Sequence, residues 1–154
     1  MTSIREAVHR DPIWRDRADF IIAIAIDPGS TSIATEQLWV RRVDDRHFEL
    51  CCIPFFAYDV ALGDRVEVDA DFLVRRVVHP SGRYVFRVHF VRPESRFRDE
   101  VVRELTERGA LVEWSSAGMF AVDAQDARHA QQIADYLAQQ EHLGRLAYET
   151  GRTQ

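Results

Sequence analysis

Lysine is absent from this chain: all 20 basic side chains among its 154 residues are arginine, set against 25 acidic ones for a formal charge of −5. The arginines run from Arg5 to Arg152, interspersed with acids, whereas a nucleic-acid footprint calls for a basic face on a basic domain. With a sequence pI near 5.7, nucleic acid is disfavoured as a partner, and the arginine bias reads as the codon habit of a GC-rich genome. Long apolar runs are missing too. The longest spans only Phe20 to Ile26, against the roughly 20 residues that a membrane helix needs. The N-terminus lacks a cationic segment followed by a hydrophobic one, the mark of a secretory signal. The expectation is a cytoplasmic protein with no membrane partner.

Cysteine is scarce. Cys51 and Cys52 are adjacent, where geometry disfavours a mutual disulfide, and no C-x-x-C spacing is present, so both read as reduced thiols. The six histidines, at positions 9, 47, 79, 89, 129 and 142, fall singly with no H-x-H or H-x-x-x-H pair, and no metal site is expected. Seven dispersed glycines form neither G-x-x-x-x-G-K nor G-x-G-x-x-G, so no nucleotide cofactor, and no cofactor of any kind, is expected. A nucleophilic Cys51 is conceivable beside His47 and Glu49, but alternate residues on a strand stand about 7 Å apart, too far for a proton relay.

What the chain does have is size and pattern. A chain of this length buries roughly 70% of its unfolded surface, enough for one domain or two very small ones. Residues 1–18 mix charge and apolar side chains without period and read as a flexible or short helical arm. Phe20 to Ile26 reads as a central strand buried on both faces, stopped at Asp27-Pro28-Gly29. From Leu38 the period is two: Phe48, Leu50 and Cys52 fall on one side, His47, Glu49 and Cys51 on the other. Further strands follow at 66–69, 72–78 and 83–91. Phe97, Val101 and Leu105 then mark a helix, with Pro93 before it and Gly109 as its stop. Strands at 111–114 and 119–122, a second helix capped by Asp123, and a last strand at 145–148 complete the chain. The predicted class is α+β: an N-terminal bent antiparallel β-sheet or small barrel over residues 19–80, followed by a ferredoxin-like βαββαβ unit over 81–151.

Glu36-x-Leu38-Trp39-Val40, Ile53-Pro54-Phe55-x-Ala57, Leu62-Gly63-Asp64, Ser81-Gly82, Arg87 and Glu113 occur in that order. By this set the chain resembles a bacterial family of soluble proteins of about this size, a domain of unknown function, over roughly Asp19 to Gly151. The resemblance implies a shared fold and supplies no catalytic residues. Arg83 departs from the family pattern, in which a polar or imidazole side chain follows the glycine.

Among the acids in these motifs, Asp64 follows Leu-Gly and is placed to bond turn amides. Glu113 can form a cross-strand ion pair with Arg87 or, if buried, mark with Arg87 and Glu36 a pocket. Phe55, Phe56 and Tyr58, in a proline-broken segment, cannot all point inward, so at least one is expected on a partner surface. Asp44, Asp45, Asp69 and Asp71 lie on turn tips suited to steering a basic partner. Together these favour a non-enzymatic protein-binding domain, most concretely an immunity protein or antitoxin that fills a toxin's active-site cleft. The alternatives are a small-molecule sensor, with a homodimer through its sheet as a compatible assembly, and a small hydrolase or transferase working through Glu113 and Arg87.

Overall fold

Leu38, Val40, Phe48 and Leu50 are fully buried, while Trp39, His47 and Glu49 between them are only partly covered. This is the period of two that a strand with one apolar face requires. The computed structural model describes residues 5–27, 32–92 and 96–153. Its first sheet holds β1 (Arg5–Ala7), β2 (Phe20–Ala25), β3 (Ile33–Arg42), β4 (His47–Leu50), β5 (Arg65–Val68) and β6 (Val74–His79). They run in the order β1-β3-β4-β5-β6, with β2 also paired to β3. Among the described strands the β1–β3 ladder is parallel and the other ladders are antiparallel. The sheet curls until Ala23 meets Leu73 in an isolated bridge. The ladder goes no further, so the sheet is bent but not a closed barrel.

The second sheet comprises β7 (Tyr84–His89), β8 (Leu111–Ser116), β9 (Met119–Ala124) and β10 (Ala147–Thr150), with helices α1 (Phe97–Glu107) and α2 (Ala127–His142) between them. The order is β10-β7-β9-β8, every pair antiparallel. One face carries Phe86, Val88, Phe120 and Val122 against Val101 and Leu105 of α1 and Ile133 and Leu137 of α2. The other presents Val85, Met119 and Ala121 to Ile53, Phe55, Ala61 and Leu62, so the connection from β4 to β5 fills the joint between the two sheets. Gly109, at φ +84, ends α1, and the Ala110 amide returns to the Leu105 carbonyl at 3.0 Å, a left-handed stop that favours glycine.

The structure departs from the sequence reading in four places. Residues 5–17 carry more order than a flexible or short helical arm: β1 pairs with β3, a single 3-10 turn covers Arg15–Arg17, and His9 and Pro12 are buried. Strand β2 is not buried on both faces, since Ile21 is 45% exposed and only Ile22 is buried within the strand. Its one full ladder is with β3, because β6 reaches it only at the single bridge. The cap of α2 is Asp126, whose side chain accepts from the His129 amide, while Asp123 lies within β9. Cys51 is buried although alternation assigns it to the wet face; the chain at Trp14 lies alongside, its amide bonding the Cys51 carbonyl at 3.0 Å. Residues 28, 29 and 93, named above as helix and strand boundaries, lie outside the described residues.

Gly63 turns the chain into β5 at φ +81, and a Cβ there would meet Ser81 Cβ at 3.2 Å. A Gly63→Ala variant should lose on the order of 1–2 kcal/mol from the left-handed backbone alone. Urea unfolding reads this directly, and an unchanged midpoint would show that the turn relaxes.

Candidate functional site

Glu36 sits on the apolar side of β3, in step with Leu38 and Val40, and a carboxylate in such a place needs partners. It has four. Oε2 accepts from the Phe55 amide at 2.7 Å and Oε1 from those of Phe56 and Ala57 at 2.9 and 3.0 Å. The fourth partner is His9, whose Nε2 lies 2.7 Å from Oε2. On the second sheet, Glu113 of β8 accepts from the Ile13 and Ile53 amides at 3.0 and 3.1 Å and binds His9 Nδ1 through its other oxygen. Neither His9 nor the two acids exceed 3% exposure. The imidazole stacks on Phe55, ring centres 4.0 Å apart, with the Cys52 thiol against it.

Both ring nitrogens face carboxylates, and a neutral imidazole can donate from only one. The geometry therefore calls for an imidazolium. Burial alone pulls the His9 pKa down, but the Cys52 sulfur, Glu113 and Glu36 override it and push it up to about 12. Burial works against Glu36 as well, yet His9 and the amides of residues 55 and 56 hold its carboxyl below the usual range. Both thiols go the other way. Burial, followed by Glu49, pushes Cys51 up to about 11, and burial raises Cys52 against the opposing influence of His9. A nucleophilic cysteine needs a depressed pKa. His47, moreover, is engaged by Asp44 and Glu67.

Arg87 and Glu113 flank Ala121 of β9 in one cross-strand row, but their bonds go to different groups. Arg87, 1% exposed, donates Nη2 to the Ala57 carbonyl and Nη1 to Glu149 at 3.5 Å, with its guanidinium 4.5 Å over the Tyr58 ring. Glu36 and Glu113 are brought together through His9, a link that no local spacing could announce. Of the aromatic residues expected on a partner surface, Phe55 is interior, 1% exposed against His9. Phe56 and Tyr58 are half-buried, and the Tyr58 hydroxyl donates to Glu149 at 3.1 Å. Asp64 is buried and accepts the Ala61 and Ser81 amides at 2.9 and 2.7 Å, the turn role expected of it. Asp123 is fully buried, burial pushes its carboxyl up to about 6 against Arg83, and it pairs with Arg83 at 2.5 Å.

The acids on turn tips gather elsewhere. Asp44 accepts the Arg46 and His47 amides, both at 2.9 Å, and Asp69 those of Asp71 and Leu73 at 2.8 and 3.0 Å. The Val68 amide bonds the Arg46 carbonyl at 2.9 Å, which sets the two turns side by side with Asp45 and Asp71 exposed. A cavity of about 460 Å³ between residues 10–13 and β8 reaches Glu113, and a second of about 440 Å³ lies where residues 151–153 pass the joint. Among the described residues, no group of three His, Cys, Asp or Glu side chains is arranged to hold a metal ion, and no helix is long and apolar enough to cross a membrane.

A bent sheet with one parallel pair and a second, antiparallel sheet, joined through a buried carboxylate–imidazolium–carboxylate bridge, define the class structurally. The chain belongs to the family described as Domain of unknown function (DUF4265), whose model matches residues 36–148. That span includes Glu36, Arg87 and Glu113 but not His9. The fold is similar to the crystal structure of a hypothetical protein from Neisseria gonorrhoeae, at 19% identity and a TM-score of 0.73 over 86% of this chain and 93% of that one. No curated protein matches.

Two predictions test the bridge. Glu36→Gln strands the imidazolium and should cost roughly 3–5 kcal/mol by chemical denaturation; a neutral effect would deny the bridge its structural role. The second uses pH. His9 is raised from 6.5 to about 12 in the folded state, so between those values the folded chain holds a proton that the unfolded chain has released. Its contribution is complete below pH 6.5 and erodes as pH rises, by about 1.4 kcal/mol per unit. Wild type should therefore lose stability more steeply than His9→Gln across that window, and parallel slopes would mean a neutral imidazole.

Proposed function

We propose that this protein is a non-enzymatic protein-binding domain, of the immunity-protein or antitoxin type, that neutralises a basic partner through the end of the first sheet. One observation carries the reading: the turns at 44–46 and 69–72 meet, gathering Asp44, Asp45, Asp69 and Asp71 beside the exposed Val43 and Phe72. Asp44 and Asp69 hold the turns while Asp45 and Asp71 face outward, a preformed acidic edge with an apolar centre. Complementary charge chiefly raises association rate and fixes orientation, and prior order lowers the cost of binding.

The interior chemistry favours the same reading. Glu36, Glu113 and His9 are spent on one another and on backbone amides, and Arg87 on Ala57 and Glu149, which leaves the hydrolase or transferase alternative without an acid and a cation acting on one point. In the second half, the order β10-β7-β9-β8 with α1 after β7 and α2 after β9 supports a ferredoxin-like reading of that unit, and helices on one face with the joint on the other leave β8 and β10 as the edges where a homodimer would pair.

The test is neutralisation. Products of the genes beside this one in its source genome are expressed with and without it, scoring growth and measuring binding by interferometry. Asp45→Arg with Asp71→Arg should slow association about tenfold or more at low salt and abolish protection, with the fold intact by circular dichroism. Unimpaired protection by the double variant, or no neighbouring product that binds, would sink the proposal.

A further inference from the structure

The cavity of about 440 Å³ beside the C-terminal segment falls within the range of roughly 300–1,000 Å³ typical of small-molecule sites. Its shape is set by backbone bonds across three segments. The Asp59 amide donates to the Gly151 carbonyl at 2.7 Å and the Gly151 amide to the Val85 carbonyl at 2.8 Å. Gly151 passes so close that a Cβ would stand 3.0 Å from Val85 Cβ. Asp59 itself adopts φ +62, a conformation costly for a residue other than glycine.

Asp59, Asp64, Arg83 and Arg152 line this space next to an apolar wall of Val60, Val77, Pro80 and Val85, and Asp64 is committed to the Ala61 and Ser81 amides. Arg152 lies 3.9 Å over the Tyr84 ring, and among the described residues its guanidinium meets no carboxylate at ion-pair distance. Stacking holds such a fork flat and leaves its N–H edge for a carboxylate. Asp59 is fixed by Thr153, whose amide and hydroxyl donate to its two oxygens at 2.9 and 2.7 Å. Further lone pairs remain on both oxygens. Arg83, also on the lining, is committed to Asp123.

We propose that this cavity binds a free α-amino acid with an apolar side chain, its carboxylate on Arg152, its ammonium on Asp59 and its side chain against the valine wall. Neither the acidic turns nor the buried bridge takes part, so this site stands or falls apart from partner binding. A simple organic acid would meet Asp59 with the wrong charge, and a simple amine would leave Arg152 unused. A ligand carrying both charges satisfies the two.

Thermal shift and isothermal titration with L-leucine, 4-methylpentanoate and 3-methylbutylamine test this on the intact protein. Leucine at about 100 times its Kd should raise the melting temperature by several degrees; the two analogues, each lacking one charge, should not. Arg152→Gln, on an exposed residue, should fold like wild type and lose the leucine heat by tenfold or more in affinity. Asp59→Asn should weaken leucine and narrow the gap between leucine and 4-methylpentanoate, because the charge that rejects the simple acid is gone. The proposal is overturned if neither leucine nor any other apolar amino acid gives heat or a shift, if 4-methylpentanoate binds as well as leucine, or if Arg152→Gln binds leucine normally.

Discussion

The imidazolium of His9 lies between a carboxylate of one sheet and a carboxylate of the other, and the relative placement of the two sheets follows from it. Apolar packing between Ile53, Phe55 and Leu62 on one side and Val85, Met119 and Ala121 on the other is strong but non-directional. Such a contact tolerates sliding. The bridge does not: Glu36 fixes the amides of residues 55–57, Glu113 those of residues 13 and 53, and His9 joins the two acids. Five backbone donors that would otherwise need water in a dry joint are thereby satisfied. Replacing one partner leaves a buried charge exposed to nothing, which is why such clusters are costly to break even where their net contribution is small.

Charge within the joint is balanced by a second buried cation. Arg87 shares the row of Glu113 across Ala121, so the face of the second sheet toward the joint carries an acid and a base one strand apart on either side of β9. Each reaches away from the other, Glu113 to His9 and Arg87 to Ala57 and Glu149. The division lets one face satisfy both the inward-facing loop and the β10 edge. It also explains why the family-like motifs scatter over the chain: they fall on residues that meet at one joint, not on one surface.

The local periods were legible and the long-range pairings were not. Alternation over residues 38–50, the helix pattern of Phe97, Val101 and Leu105, and Gly109 as a stop all follow from rules that act within a few residues. Glu36 carried a usable signal, because a carboxylate in step with Leu38 and Val40 lies on the buried side of its strand. His9 carried none, since its partners are 27 and 104 residues away and the residues around it have no period. Strand β2 misled for a different reason. The seven apolar residues from Phe20 to Ile26 suggest burial on both faces, but the curl of the sheet brings β6 to β2 at one point only, and Ile21 pairs with Trp39 on the outer side. Asp123 reads as a cap because an acid three residues before Asp126 looks equally good in one dimension; the pairing of β8 and β9 through Leu111 and Asp123 extends the strand past it.

A joint held by directional bonds has consequences for the surfaces it leaves outside. The turns at 44–46 and 69–72 are each closed by their own aspartate, and the sheet that carries them is tied at its far side to the second sheet. Residues 151–153 return from β10 to Asp59 and Val85, so the end of the chain is stitched to the same connection that fills the joint. Surfaces built this way have little conformational freedom to lose, and ordering costs are what separate weak from tight recognition at equal area. The order achieved inside, at the expense of burying His9, Glu36, Arg87 and Glu113 in the joint, is therefore the physical ground on which recognition at the surface would rest.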